Sequence, residues 1–173
     1  MISDPFKFQA LASAANDFCQ LIENIKKLEE SEWLFPITQS LAQLHATVLQ
    51  FDSGGIDYRF FTLPDLDDRF ELFFSLKLFL KEQDSYPLER DLSTDSVGTT
   101  GSLADDFADI YFELKRGLNL LDAGVIHCEE EALKLWQSGF ILHWGQHLVD
   151  AQRHLYRLRI QEIYLTVPTV RAR

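Results

Sequence analysis

Sulfur is scarce in this chain of 173 residues, which has two cysteines and one methionine. Cys19 and Cys128 lie far apart, and neither belongs to a C-x-x-C pair or a dense even framework. A disulfide scaffold and a cysteine-ligated zinc site are therefore not indicated. Cys19 stands among apolar neighbours and reads as a small core residue. No run approaches 18 uninterrupted apolar residues, so no membrane span is expected. The segment Met1–Pro5 lacks a basic stretch followed by an apolar one, and a cytoplasmic location is the expectation. Phosphate loops of the G-x-x-x-x-G-K-[ST] or G-x-G-x-x-G type are missing, as is the G-x-S-x-G turn of nucleophilic hydrolases. Positive charge is short as well: 16 basic residues stand against 27 acidic ones, a formal charge of −11. Nucleic acid would be repelled by most of such a surface.

What the chain has in quantity is apolar and aromatic. Hydrophobic residues make up 46% and charged residues 25%, a globular composition, and 173 residues suffice for one domain with a full core. Fourteen Phe make that core stiff. Residues 151–173 contain five Arg and one Glu, +4 against −15 for the remainder. The expected division is a helical domain over 1–158 and a basic tail over 159–173.

Periodicity predicts an all-α, single, up-and-down-like bundle of about five helices. Asp4-Pro5 is a cap followed by a residue whose missing N–H costs nothing there. Leu11, Ala15, Phe18, Ile22 and Ile25 then mark one face to about Glu30. Ile37, Leu41, Leu44, Val48 and Phe51 do the same for a second helix that starts near Pro36 and stops at Asp52-Ser53-Gly54-Gly55. Tyr58, Phe60 and Phe61 are expected to pack down the loop after it. From Asp67 to Gln83 apolar residues cover nearly the whole helical wheel, which marks either a central helix or a subunit interface. The central position is the expectation. An interface would make this Phe-rich helix the place for a protein partner or self-association. Residues 84–102 form a break without periodicity. Ser102 and Asp105 give a variant capping box for a fourth helix, with Leu103, Phe107, Ile110 and Leu114 inward. A fifth can run from Glu129 to about Leu158, and Gly139 and Gly145 within it predict a kink or a close crossing.

Two polar rows lie beside these apolar stripes. Asp106, Asp109 and Glu113 occupy one side of the fourth helix. His143, His147, Asp150 and His154 occupy one side of the fifth. His143 and His147, at i and i+4, place two imidazoles together, and carboxylates from a facing helix would complete a site for zinc, manganese or iron. Asp106 and Asp109 are the natural metal partners, with Glu113 as the other carboxylate. The same rows can equally form a polar seam of ion pairs that fixes how two helices dock, or a metal-free acid–base pair. The seam is the expectation. His45 reads as a boundary histidine, His127 as solvated and Trp144 as a core anchor. Tyr111 can reach the seam with its hydroxyl or pack beside it.

Leu103-Ala104-Asp105-Asp106-Phe107-Ala108-Asp109-Ile110-Tyr111 with Leu114-Lys115-Arg116-Gly117-Leu118, together with His143-Trp144-Gly145-Gln146-His147, resembles the signature of an uncharacterised bacterial family, domain of unknown function 5063. Residues 102–155 carry the resemblance. It implies an all-helical cytosolic bacterial protein of about this length and brings no activity, cofactor or catalytic residue. The loop with Tyr86 directly before Pro87 departs from the pattern expected there. The function expected is a cytosolic interaction or scaffold-type protein with a buried Asp/His seam. The alternative is a divalent-metal-binding helical protein, a metal-dependent hydrolase or oxidoreductase. Whether the chain is an enzyme stays open at the level of sequence.

Overall fold

A computed structural model describes residues 4–29, 32–51, 66–88, 100–124 and 126–166. Helix α1 spans Pro5–Asn24 and opens as its sequence dictates, with the Asp4 carboxylate accepting from the Phe6 and Lys7 N–H groups at 3.1 and 3.2 Å. One 3-10 turn, Ile25–Lys27, ends it. Helix α2 covers Leu34–Val48, with Pro36 inside its first turn. Helix α3 covers Leu66–Leu80 and closes in a 3-10 turn, Lys81–Gln83. Helix α4 runs from Leu103 to Asp122. The last helical rod is α5 (Cys128–Gly139), a π-helical turn at Phe140–Trp144, and α6 (Gly145–Thr166). Counted as a rod, α5–α6 is the fifth helix of an all-α bundle, and it continues past Leu158 through part of the segment read as a tail. No described helix is long and apolar enough to cross a membrane.

The break at 84–102 is not featureless. Ser85–Pro87 (β1) pairs antiparallel with Thr100–Ser102 (β2), and Tyr86 lies opposite Gly101. Asp84 ties this ribbon to the start of α4: its Oδ1 accepts from Ser102 Oγ and from the Ala104 N–H, both at 2.8 Å, and its carbonyl accepts from the Leu103 N–H at 2.9 Å. Ser102 Oγ also accepts from the Asp105 N–H at 3.3 Å, the capping contact read from the sequence.

The apolar stripes of α1, α2, α4 and α6 close on one core. Leu11, Phe18, Ile37, Leu41, Phe107, Leu114, Trp144 and Leu148 are fully buried within it. The central helix is α4, which packs against α1, α3, α5 and α6. Small residues permit this: Ala104 and Ala108 are buried on it, and a Cβ at Gly117 would overlap the Trp136 indole. Helix α3 is therefore not central, contrary to the expectation from its composition. It buries only Leu76 and Leu80, while Leu66, Phe70, Phe74 and Leu78 are 49–79% exposed. An apolar wheel states how much greasy surface a helix has. It does not state on how many sides neighbours stand. The loop aromatics Tyr58, Phe60 and Phe61 and the arginines at 171 and 173 lie outside the described residues.

Candidate metal centre

Helical spacing puts Asp106, Asp109 and Glu113 on one flank of α4, all buried at 4–7% exposure. The opposing histidines come from the junction of the π turn and α6. In the π turn the Gly145 N–H reaches back five residues to the Phe140 carbonyl, which inserts extra backbone between α5 and α6. A Cβ at Gly145 would overlap that carbonyl, so glycine at 145 is what admits the turn. Packing fixes the rod on both sides of it. Trp136 Nε1 donates to the Leu114 carbonyl and Trp144 Nε1 to the Trp136 carbonyl, each at 3.1 Å.

The two polar rows face one another across the α4–α6 contact. His147 stands between two aspartates, with Nδ1 2.8 Å from Asp106 Oδ1 and Nε2 3.4 Å from Asp109 Oδ2. His143 Nδ1 lies 3.5 Å from Glu113 Oε1, and the two imidazoles meet edge to face with centroids 5.0 Å apart. Ligand atoms of Asp109, His143 and His147 all lie within 4.8 Å of one another. Asp106 is not part of this set, because it serves the far nitrogen of His147. Asp150 pairs along its own helix with Gln146 at 2.7 Å. His154 Nε2 donates to the Gln83 carbonyl at 2.9 Å. Neither joins the cluster. Tyr111 turns away to Glu23, its hydroxyl donating at 2.9 Å.

Two residues that the sequence did not single out for the site complete the arrangement. The Arg69 guanidinium from α3 grips Asp109 with two bonds, 2.6 and 2.8 Å, and reaches Asp105 at 2.7 Å. Its one visible signal was isolation: it is the lone cation in the first two turns of a helix of acids and apolar residues. Tyr86, 2% exposed, donates its hydroxyl to Asp106 Oδ2 at 2.5 Å and stacks on His154 with centroids 4.7 Å apart. Nothing local in the sequence marks it as a site residue, because a two-stranded ribbon carries it in.

The electrostatics follow from this packing. Burial lifts the Asp106 carboxyl above its usual range, and the His147 and Tyr86 donors pull it back. For His147 burial opposes the charged form, but the Asp106 hydrogen bond and the charges of Asp106, Asp109 and Asp105 prevail and raise it. Burial, then the bond to Asp106, keeps Tyr86 protonated. Four carboxylates (Asp105, Asp106, Asp109 and Glu113) share the neighbourhood with two guanidinium groups, Arg69 and Arg116, the latter 3.5 Å from Glu113. The formal sum is −2 with both imidazoles neutral and −1 with His147 protonated, the form its aspartates favour, so the pocket is net negative in either state. Bonds of about 2.0–2.2 Å in a tetrahedral site set neighbouring ligands about 3.4 Å apart; the Asp109–His147 and Glu113–His143 separations of 3.4 and 3.5 Å match this, and the Asp109, His143 and His147 set is held within 4.8 Å.

Among curated proteins there is no match to the chain. The fold is similar to that of a Bacteroides fragilis protein of known crystal structure, with a TM-score of 0.71 over 94% of each chain at 22% sequence identity. A likeness at that identity speaks for the fold alone. The family described as Domain of unknown function (DUF5063) matches residues 5–161, and the chain belongs to that family.

Proposed function

We propose that this protein binds one divalent metal ion between α4 and the α5–α6 rod, with Asp109, His143 and His147 as ligands and Glu113 as a fourth donor. The observation that carries the reading is the convergence of three ligand atoms within 4.8 Å, with a buried carboxylate on the back nitrogen of one of the histidines. A histidine ligand commonly donates its other N–H to a carboxylate in this way, which fixes the tautomer and strengthens the ligand. Imidazole and carboxylate donors suit zinc, manganese and iron. The histidine side chains are 34% and 23% exposed, so the centre opens to solvent. That is the form of a site with room for a bound water, and it favours a metal-dependent hydrolase over a closed structural site.

Elemental analysis of protein purified without a chelating column is expected to find near one equivalent of zinc, manganese or iron. Added ion is expected to raise the melting temperature of stripped protein, since a ligand at 100 times its Kd stabilises by about 2.7 kcal/mol. His143→Ala with His147→Ala is expected to abolish both effects. Metal content near zero, with no thermal shift from any of the three ions, overturns the reading.

A second reading, a scaffold or interaction role, is favoured by α3. Leu66, Phe70, Phe74 and Leu78 recur every four residues on its outer face, and all are exposed. Asp67, Asp68 and Glu71 lie toward one end of this helix and Lys77 toward the other. Two copies packed antiparallel through α3 would set opposite charges together around an apolar seam, the self-complementary contact of a two-fold dimer.

A further inference from the structure

An imidazole can ligate through Nε2 only when the proton sits on Nδ1. At His147 the group that decides this is Asp106, and Asp106 is itself held from the other side. We propose that Tyr86 is a positioning residue of the metal centre: its hydroxyl pins Asp106 so that the carboxylate takes the Nδ1–H of His147 and leaves Nε2 bare toward Asp109. The inference rests on the metal-binding reading and adds a part of the machinery that lies outside the ligand set.

The geometry for this is built from several elements. Asp106 presents one oxygen to each donor, Oδ2 to Tyr86 at 2.5 Å and Oδ1 to His147 at 2.8 Å. A carboxylate committed on one side has a fixed direction on the other. Tyr86 has little freedom of its own. Its ring stacks on His154 at an interplanar angle of 25°, and His154 is anchored to the Gln83 carbonyl. On the opposite strand Gly101 supplies the space the ring occupies, since a Cβ there would overlap the phenol. Asp84 clamps the base of the ribbon to the first turn of α4, four residues or fewer from Asp106. Ribbon, aspartate and histidine thus form one chain of contacts ending at the nitrogen that faces Asp109.

The test uses the full chain with Tyr86→Phe, which keeps the ring and removes the hydroxyl. Two quantities are read: the Kd for Zn²⁺ by calorimetry, and the tautomer of His147 by ¹⁵N spectroscopy of metal-free protein at a pH where the imidazole is neutral. Expected are a zinc affinity lower by about 10- to 100-fold, the usual effect of losing an outer partner, and a His147 signal that moves from Nδ1–H toward a mixture of tautomers. Gly101→Ala, which pushes the phenol aside, is expected to reproduce both effects in a chain that retains Tyr86. Should Tyr86→Phe fail to fold, Gly101→Ala carries the test. An unchanged tautomer together with a zinc Kd within twofold of the parent overturns the inference and leaves the metal reading standing. A parent protein that takes up no zinc overturns the metal reading and this inference with it, whatever the tautomer spectra show.

Discussion

His147 and His154 sit about two turns apart on α6 and respond to acid in opposite senses. Burial holds the His154 imidazole below its ordinary value of 6.5, helped by the charges of Arg157 and Arg153 and resisted by the Gln83 carbonyl. In the unfolded chain this group takes up its proton first as pH falls. Its stabilising contribution is therefore complete above pH 6.5 and is lost as pH drops through the lower folded value. His147 is raised, because its aspartates outweigh burial, so its contribution is complete below 6.5 and is lost as pH rises through the higher folded value. Comparing urea midpoints of metal-free parent and His154→Gln between about pH 7.5 and 5.5 isolates the first effect. The parent's advantage is expected to shrink toward the acid end; an advantage that widens there contradicts the assignment. The His147 and Asp106 pairing was within reach of the sequence, since helical spacing is rigid and places residues 106, 109 and 113, or 143 and 147, on one side whatever the tertiary structure does. Arg69 and Tyr86 were not. They meet the same carboxylates from 36–40 and 20 residues away, and such contacts are decided by how separate elements dock.

At the level of the element, the π turn at Phe140–Trp144 sets the rotation of α5 against α6. A regular helix would lack its extra residue, and each residue added or removed rotates the downstream side chains by about 100°. Gly145→Ala forces a Cβ onto the Phe140 carbonyl. Overpacking of this kind costs about 1–3 kcal/mol, and chemical denaturation is expected to show a loss in that range. Relief by reverting to a plain α-helix would rotate α5 against α6 by about 100°, so Trp136 and the His143–His147 face could not both keep their places against α4, and metal uptake should fall even where the fold survives. A variant with parental stability and parental metal content would show that the turn does not depend on the missing side chain. The two glycines were visible in the sequence and predicted a local irregularity. Its kind was not legible, because a kink, a crossing and a π turn all use the same residue. Helix α3 failed for another reason. Its aromatic content implied burial, yet among the described residues its main neighbour is α4, with Trp33 against Phe79, and the central place went to a helix with Ala104, Ala108 and Gly117.

For the molecule as a whole, the all-α bundle was legible from apolar spacing and caps, and the helix order held from Pro5 to the α6 rod. The self-association proposed above would run through the outer face of α3. Light scattering at high concentration is expected to give a dimer, and Phe74→Glu, at a position 60% exposed, is expected to give a folded monomer. A parent that stays monomeric at its solubility limit removes the self-association reading. Specific interfaces bury at least about 1,200 Å² in total, so α3 needs help from adjoining surface to reach that area.

The seam between α4 and α6 has a mechanical consequence. Two helices joined by leucines alone can slide lengthwise by one turn and still find grease against grease. Here a shift of about 5.4 Å would carry His147 out from between Asp106 and Asp109, and would leave buried carboxylates without their partners. Only one lengthwise alignment satisfies every ion. The bundle is keyed as a lock is keyed, and the teeth are the same groups that would grip a cation.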